Sequence, residues 1–190
     1  MLRLMSTTTD AGPAAGVRWD LSHLYAEPDD PRIDADLDGA LEEAQAFAER
    51  HRGRLAELAP AQLAEAVDAL EALHEPVVRA AVFSHLLFAA DTSMPRHGAL
   101  LQHVQERASE IRNTLVFFEL EWVNVGEPAA QARLADPALA RRRHFLSALR
   151  RYRPHVLSEP EECILEETAN TGRRAFGRLF DELISAQRFQ

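Results

Sequence analysis

At 190 residues, 46% hydrophobic and 27% charged, the chain has the composition of a globular protein of one domain or at most two, with room to bury about 70% of its unfolded surface. Its 21 basic residues, all arginine, stand against 30 acids for a formal charge of −9, which speaks against nucleic acid or an anionic membrane as a main partner. A lone cysteine, Cys163, excludes a disulfide framework and a cysteine zinc site, and no apolar run reaches the roughly 18 residues of a membrane span.

Residues 1–16 are small and polar, with no periodic apolar pattern, and are expected to be a disordered lead-in; Met1 or Met5 could begin the chain. This stretch lacks the apolar centre of a secretory signal, so a cytoplasmic location is expected. Residues 17–190 read as one helical unit, since apolar positions recur at threes and fours and proline falls where helices begin. Asp30-Pro31, Glu75-Pro76, Glu127-Pro128 and Asp136-Pro137 each set an acid before a proline, the order of a cap followed by a first helical residue. Ser158-Glu159-Pro160-Glu161 adds a capping box.

Leu63, Val67, Leu70 and Leu73 make one apolar stripe. The segment Val77 to Ala90 is apolar nearly all round and predicts a helix buried on several sides. Leu101, Val104, Ala108, Ile111, Leu115, Phe118, Trp122 and Val125 alternate threes and fours, a heptad seam that predicts a helix over about 98–125, roughly 40 Å long. Phe176, Leu179, Phe180, Leu183 and Ile184 form a last stripe, while Gly53, Gly126 and Gly172 sit where helices stop or restart. No strand alternation is sustained, so the fold class is all-α, a helical bundle with a long coiled-coil-like helix hairpin.

Residue chemistry yields no site. His74-Glu75 opens like the zinc-peptidase HExxH, but the second histidine position is Val78 and Pro76 interrupts the turn. His97 and His103, and His144 and His155, are spaced so that neither pair shares a helical face; surface or capping roles fit these histidines. Glu119 and Glu121 point about 200° apart on a helix and form no acid–base pair, and Glu121 reads as a rim residue for an arginine. Arg141, Arg142, Arg143, Arg150, Arg151 and Arg153 make a basic helix. The acids downstream, Glu159, Glu161, Glu162, Glu166 and Glu167, are its simplest partners, with plain solvation the other reading. Two glutamates precede Cys163 and raise its thiol, against a nucleophilic role.

Three blocks resemble the amino-terminal region of oligoendopeptidase F. They are Trp19-Asp20-Leu21-Ser22-His23-Leu24-Tyr25 with Asp29-Asp30-Pro31, then Phe117-Phe118-Glu119-Leu120-Glu121-Trp122, and then Tyr152 through Glu162, which continues into Glu166-Glu167, Asn170-Thr171-Gly172, Ala175-Phe176 and Arg178 to Leu183. The resemblance runs from about 17 to 188. It implies the amino-terminal helical lobe of a thimet-oligopeptidase-type zinc metallopeptidase that is cytoplasmic and hydrolyses short peptides inside a channel.

In that family an HExxH helix and a further glutamate, in the carboxy-terminal half of a much longer chain, hold the zinc and supply the base. None of these motifs lies within the 190 residues, so no catalytic or metal residue is assigned and substrate-binding residues stay unknown; zinc is implied only for the full-length family. The reading therefore expects the amino-terminal part of such a peptidase, a channel wall that is inactive alone and self-associates through surface left bare by truncation. The alternatives are a stand-alone helical protein-binding module, or an enzyme with its own histidine site that would carry stoichiometric zinc.

Overall fold

In the computed structural model, residues 19–187 are described; the expected lead-in at 1–16 lies outside them. Seven α-helices follow one another: α1 (Pro31–His51), α2 (Pro60–Ala90), α3 (Pro95–Asn124), α4 (Glu127–Ala135), α5 (Arg143–Arg151), α6 (Glu159–Thr171) and α7 (Arg173–Ser185). Short 3-10 turns lie at Leu55–Glu57, Pro137–Leu139 and Arg153–His155, and no strand occurs among the described residues.

Local chemistry sets most of the boundaries. Asp30 caps α1 by accepting the Arg32 amide at 3.0 Å, with Pro31 as the first helical residue. Gly53 ends the α1 turn at a φ of +77°, a left-handed conformation that a side chain would strain. Pro60 and Pro95 open α2 and α3. At α6, Glu161 accepts both the Ser158 amide at 2.9 Å and the Ser158 hydroxyl at 2.6 Å.

Two expected starts move. Glu75-Pro76 begins nothing, because α2 runs through Pro76 for 31 residues. The missing amide deprives the Ala72 carbonyl of its partner, but Ala72 is exposed to solvent, whereas the flanking Leu73, Val77 and Ala80 are buried and hold the helix together. Near Glu127-Pro128 the capping position belongs to Gly126, one residue earlier, and Glu127 is the first helical residue.

The heptad seam runs along α3 as expected, and every member from Leu101 to Val125 is buried. Helices α2 and α3, of 31 and 30 residues, form a long hairpin across the short connection 91–94, and α1 packs on both. Between the three lie Leu37, Phe47, Leu63, Phe83, Phe117 and Phe118, all buried. The second half of α2 is buried where it meets α1, α3 and the ring of Tyr25. Phe83 and Phe88 are inside, but Val78 and Val82 stay exposed, so the expectation of burial on several sides holds for part of the circumference.

Helices α4 and α5 cover the end of α3. Trp122, fully buried, donates its indole N–H to the Leu146 carbonyl at 2.8 Å, and the Arg150 guanidinium lies over its ring while donating to the Trp122 carbonyl. Helix α6 then lies along α3, and α7 packs on α6.

Candidate functional site

A cleft of about 730 Å³ lies between α2, α3 and α6. Leu70, Leu115, Phe118 and Ala169 supply apolar walls, while His74, Arg112, Glu119, Glu162, Glu166 and Arg173 bring polar groups of both signs. A second hollow of about 520 Å³, lined by Arg141, Arg142 and Phe145, shares Leu70, His74 and Glu119 with the first. His74 and Glu119, from opposite strands of the hairpin, therefore form the saddle between two halves of one groove.

The His74 ring donates from Nδ1 to the Leu70 carbonyl one turn back, at 2.7 Å. A carbonyl only accepts, so Nδ1 is the donor in this contact. Glu119 is exposed at the groove mouth, with the groove walls on either side of its carboxyl. Partial desolvation by those walls raises the carboxyl above the usual range; Glu162 adds to the rise, and His74 and Arg112 oppose it. Glu162 accepts the Leu157 amide at 2.9 Å and thereby also ties down the entry to α6.

The far wall is held by a polar clasp. Glu166 on α6 accepts from Ser109 at 2.9 Å and from Arg174 at 2.7 Å, and it pairs with Arg112. Asn170 and Arg174 also meet Ser109. At the other end of α6, Arg52 bridges to Glu159 while stacking over the Phe117 ring. Ala169 is the one buried residue of α6, and α7 has none. Charge and hydrogen bonding, with little apolar burial, fasten this wall of the groove.

Several expectations take a different form. Among the described residues Glu121 pairs with no arginine; its carboxylate accepts the Gly53 amide at 2.6 Å and the Leu55 amide at 3.4 Å and so stitches α3 to the turn after α1. Among the described residues, no arginine from Arg141 to Arg153 pairs with an α6 acid. Arg142 pairs with Asp68, Arg150 with Glu127 at 2.7 Å, and Arg143 donates to the Leu134 carbonyl at 2.6 Å. The α6 acids meet Arg52, Arg112 and Arg174 instead. Helix α5 lies against α3 and α4, so residues adjacent in sequence are not adjacent here.

His97 is buried against the Asp91 carbonyl, His103 bonds Asp34 at 2.7 Å, and His51 stacks on Phe47 at 4.5 Å. Burial, with Glu159 and Glu167 nearby, raises the Cys163 thiol, as the sequence predicts. The groove itself carried no sequence signal, because its walls come from positions up to a hundred residues apart.

Among the described residues no three histidine, cysteine or acidic side chains come together as metal ligands. His74 commits Nδ1 to a carbonyl, and Val78 occupies the place of the second imidazole. The donors present do not suit a peptidase zinc. The groove offers apolar contacts at its floor and charges of both signs at its rim.

Residues 121–189 match the family model of the M3 peptidase amino-terminal domain, described as oligopeptidase F. No curated protein and no solved structure matches the chain. The matched stretch contains the third sequence block and the end of the second; the block around Trp19 lies outside it. No helix among the described residues is long and apolar enough to cross a membrane.

Proposed function

We propose that this chain, whose residues 121–189 are an oligoendopeptidase F-type amino-terminal region, serves as the helical lobe that walls the substrate channel of a zinc metallopeptidase hydrolysing short peptides. One observation carries the reading: the segment that matches the family builds α6, the outer wall of the groove, whose Glu166 is held to Ser109 and Arg112 of α3. The groove between α2, α3 and α6 would receive part of the peptide, with Leu115 and Phe118 beneath it and Glu119 and Arg112 at its edge. The lobe contributes positioning and exclusion of water and bulky protein; bond chemistry belongs to an HExxH-bearing catalytic domain that these 190 residues do not encode. A cytoplasmic setting, with its pool of short peptides, suits this role.

The test is complementation. The purified chain alone is expected to leave a fluorescence-quenched peptide intact, with or without added zinc. Mixed with an oligoendopeptidase F catalytic domain lacking its own amino-terminal lobe, it should restore cleavage, and Glu119→Arg in the groove should reduce that restored rate. Cleavage by the chain alone would establish a separate active site. Failure to bind or activate the catalytic domain would favour a stand-alone helical module that binds protein without catalysis.

A further inference from the structure

The groove changes sign along its length. At the saddle where the cleft and the second hollow meet, Glu119 lines both halves, and Glu162 across the cleft is close enough to act on its carboxyl. Among the described residues neither acid is paired with a cation: Glu162 accepts the Leu157 amide at 2.9 Å, and Arg112, which acts on Glu119, is engaged by Glu166. Two other acids of α6 differ, since Glu159 holds Arg52 and Glu166 holds Arg112 and Arg174.

The ends of the groove do not repeat this excess. Arg173, about three helical turns along from Glu162, lines the far part of the cleft with no carboxylate partner among the described residues. Beyond Glu119, the second hollow adds one unpaired charge of each sign, Glu71 and Arg141, while Arg142 is taken up by Asp68. Uncompensated negative charge is therefore concentrated at the middle of the groove, beside the apolar floor of Leu115 and Phe118.

That position decides what kind of cation fits. The groove continues on both sides of the saddle, for about 730 Å³ on one and about 520 Å³ on the other, so a chain that fills it crosses the saddle in mid-length. An amino terminus placed there would leave one half empty, whereas a lysine or arginine side chain projects from the middle of a chain and lays an apolar stem along the floor. The walls and Glu162 already raise the Glu119 carboxyl, so a cation delivered between the two acids offsets a repulsion that is present in the empty groove.

We propose, on the premise that the groove receives peptide, that it selects extended peptides with a lysine or arginine side chain in mid-length, seated between Glu119 and Glu162. Peptides that are neutral or acidic at that place bind less well.

Isothermal titration calorimetry of the full chain with blocked peptides tests this selection. The probe is an acetylated, amidated leucine–serine nonapeptide with one central lysine. It is compared with the same peptide carrying norleucine at the centre, and with isomers that place the lysine at either end. The central lysine peptide should bind at least tenfold tighter than the norleucine peptide. The end isomers should lose most of that advantage although their charge is identical, which separates seating at the saddle from general attraction to an acidic protein. Glu119→Gln combined with Glu162→Gln should abolish the preference; glutamine keeps the shape of each side chain and an oxygen for the Leu157 amide, so circular dichroism should match the parent. Equal binding of the lysine and norleucine peptides, equal binding of the lysine isomers, or a preference that survives the double substitution would overturn the proposal while leaving the groove a peptide site. Binding of none of the peptides would overturn the channel-wall reading itself, and this proposal with it.

Discussion

Single residues here act mostly as fasteners between distant segments. Asp30 accepts the amides of Ala26 and Arg32 and the Arg32 guanidinium, which together hold its carboxyl well below the usual carboxylate range. A carboxyl depressed in this way stabilises the fold above its unfolded pKa and ceases to do so as pH falls through the folded value. His51 carries the more accessible consequence. Its ring is partly buried on Phe47 with Nδ1 unpartnered, and burial, with Arg50 and Arg54 nearby, lowers its pKa below 6.5. The unfolded chain therefore takes up this proton before the folded one, and the associated stability, present above about pH 6.5, drains away as pH falls toward the folded value. Urea unfolding of the wild type should show a lower midpoint at pH 5.5 than at pH 7.5, and His51→Phe should flatten that difference. An equal slope in the variant would assign the pH dependence to other groups.

Among the elements, α6 and α7 differ from the rest in how they are held. Helices α1 to α3 bury continuous apolar faces, but α6 buries only Ala169 and depends on the clasp around Glu166. Local opening costs least where apolar burial is small, so the α6–α7 hairpin should exchange its amide protons faster than the core hairpin. Glu166→Gln removes the charge that Arg112 and Arg174 share and should cost about 1–3 kcal/mol locally. Hydrogen exchange should then quicken by roughly tenfold or more across Glu159–Ser185 while α2 and α3 stay protected. Unchanged exchange in α6 would show that packing, not charge, holds this wall of the groove. The capping chemistry that begins α6 was legible in Ser158 and Glu161, whereas the clasp was not, because Ser109 and Glu166 are 57 residues apart. Pro76 teaches the converse: a local helix-start signal yields when its neighbours Leu73, Val77 and Ala80 are all buried in one continuous helix.

Over the whole molecule, Trp122 is the joint. It lies within the heptad seam of α3, receives the Arg150 guanidinium over its face and bonds the α5 backbone through its indole. Trp122→Ala removes the largest buried side chain of that junction and should cost about 3–5 kcal/mol. That is a large share of the 5–15 kcal/mol by which domains are stable. Chemical denaturation should show the loss as one cooperative shift; a change below about 1 kcal/mol would mean that α4 and α5 are not part of the cooperative core.

The sequence by itself determined the helical class, the long α3 seam, most caps and the absence of an HExxH, because each depends on spacing within one or two turns of helix. It also carried the oligoendopeptidase F wording that the match over 121–189 supports. Only the tertiary structure decided which arginine meets which acid, that His74 and Glu119 share a groove, and that the last apolar stripe faces solvent. Those outcomes depend on which helices lie side by side, a property of how the apolar faces close over one another and not of any local run of residues.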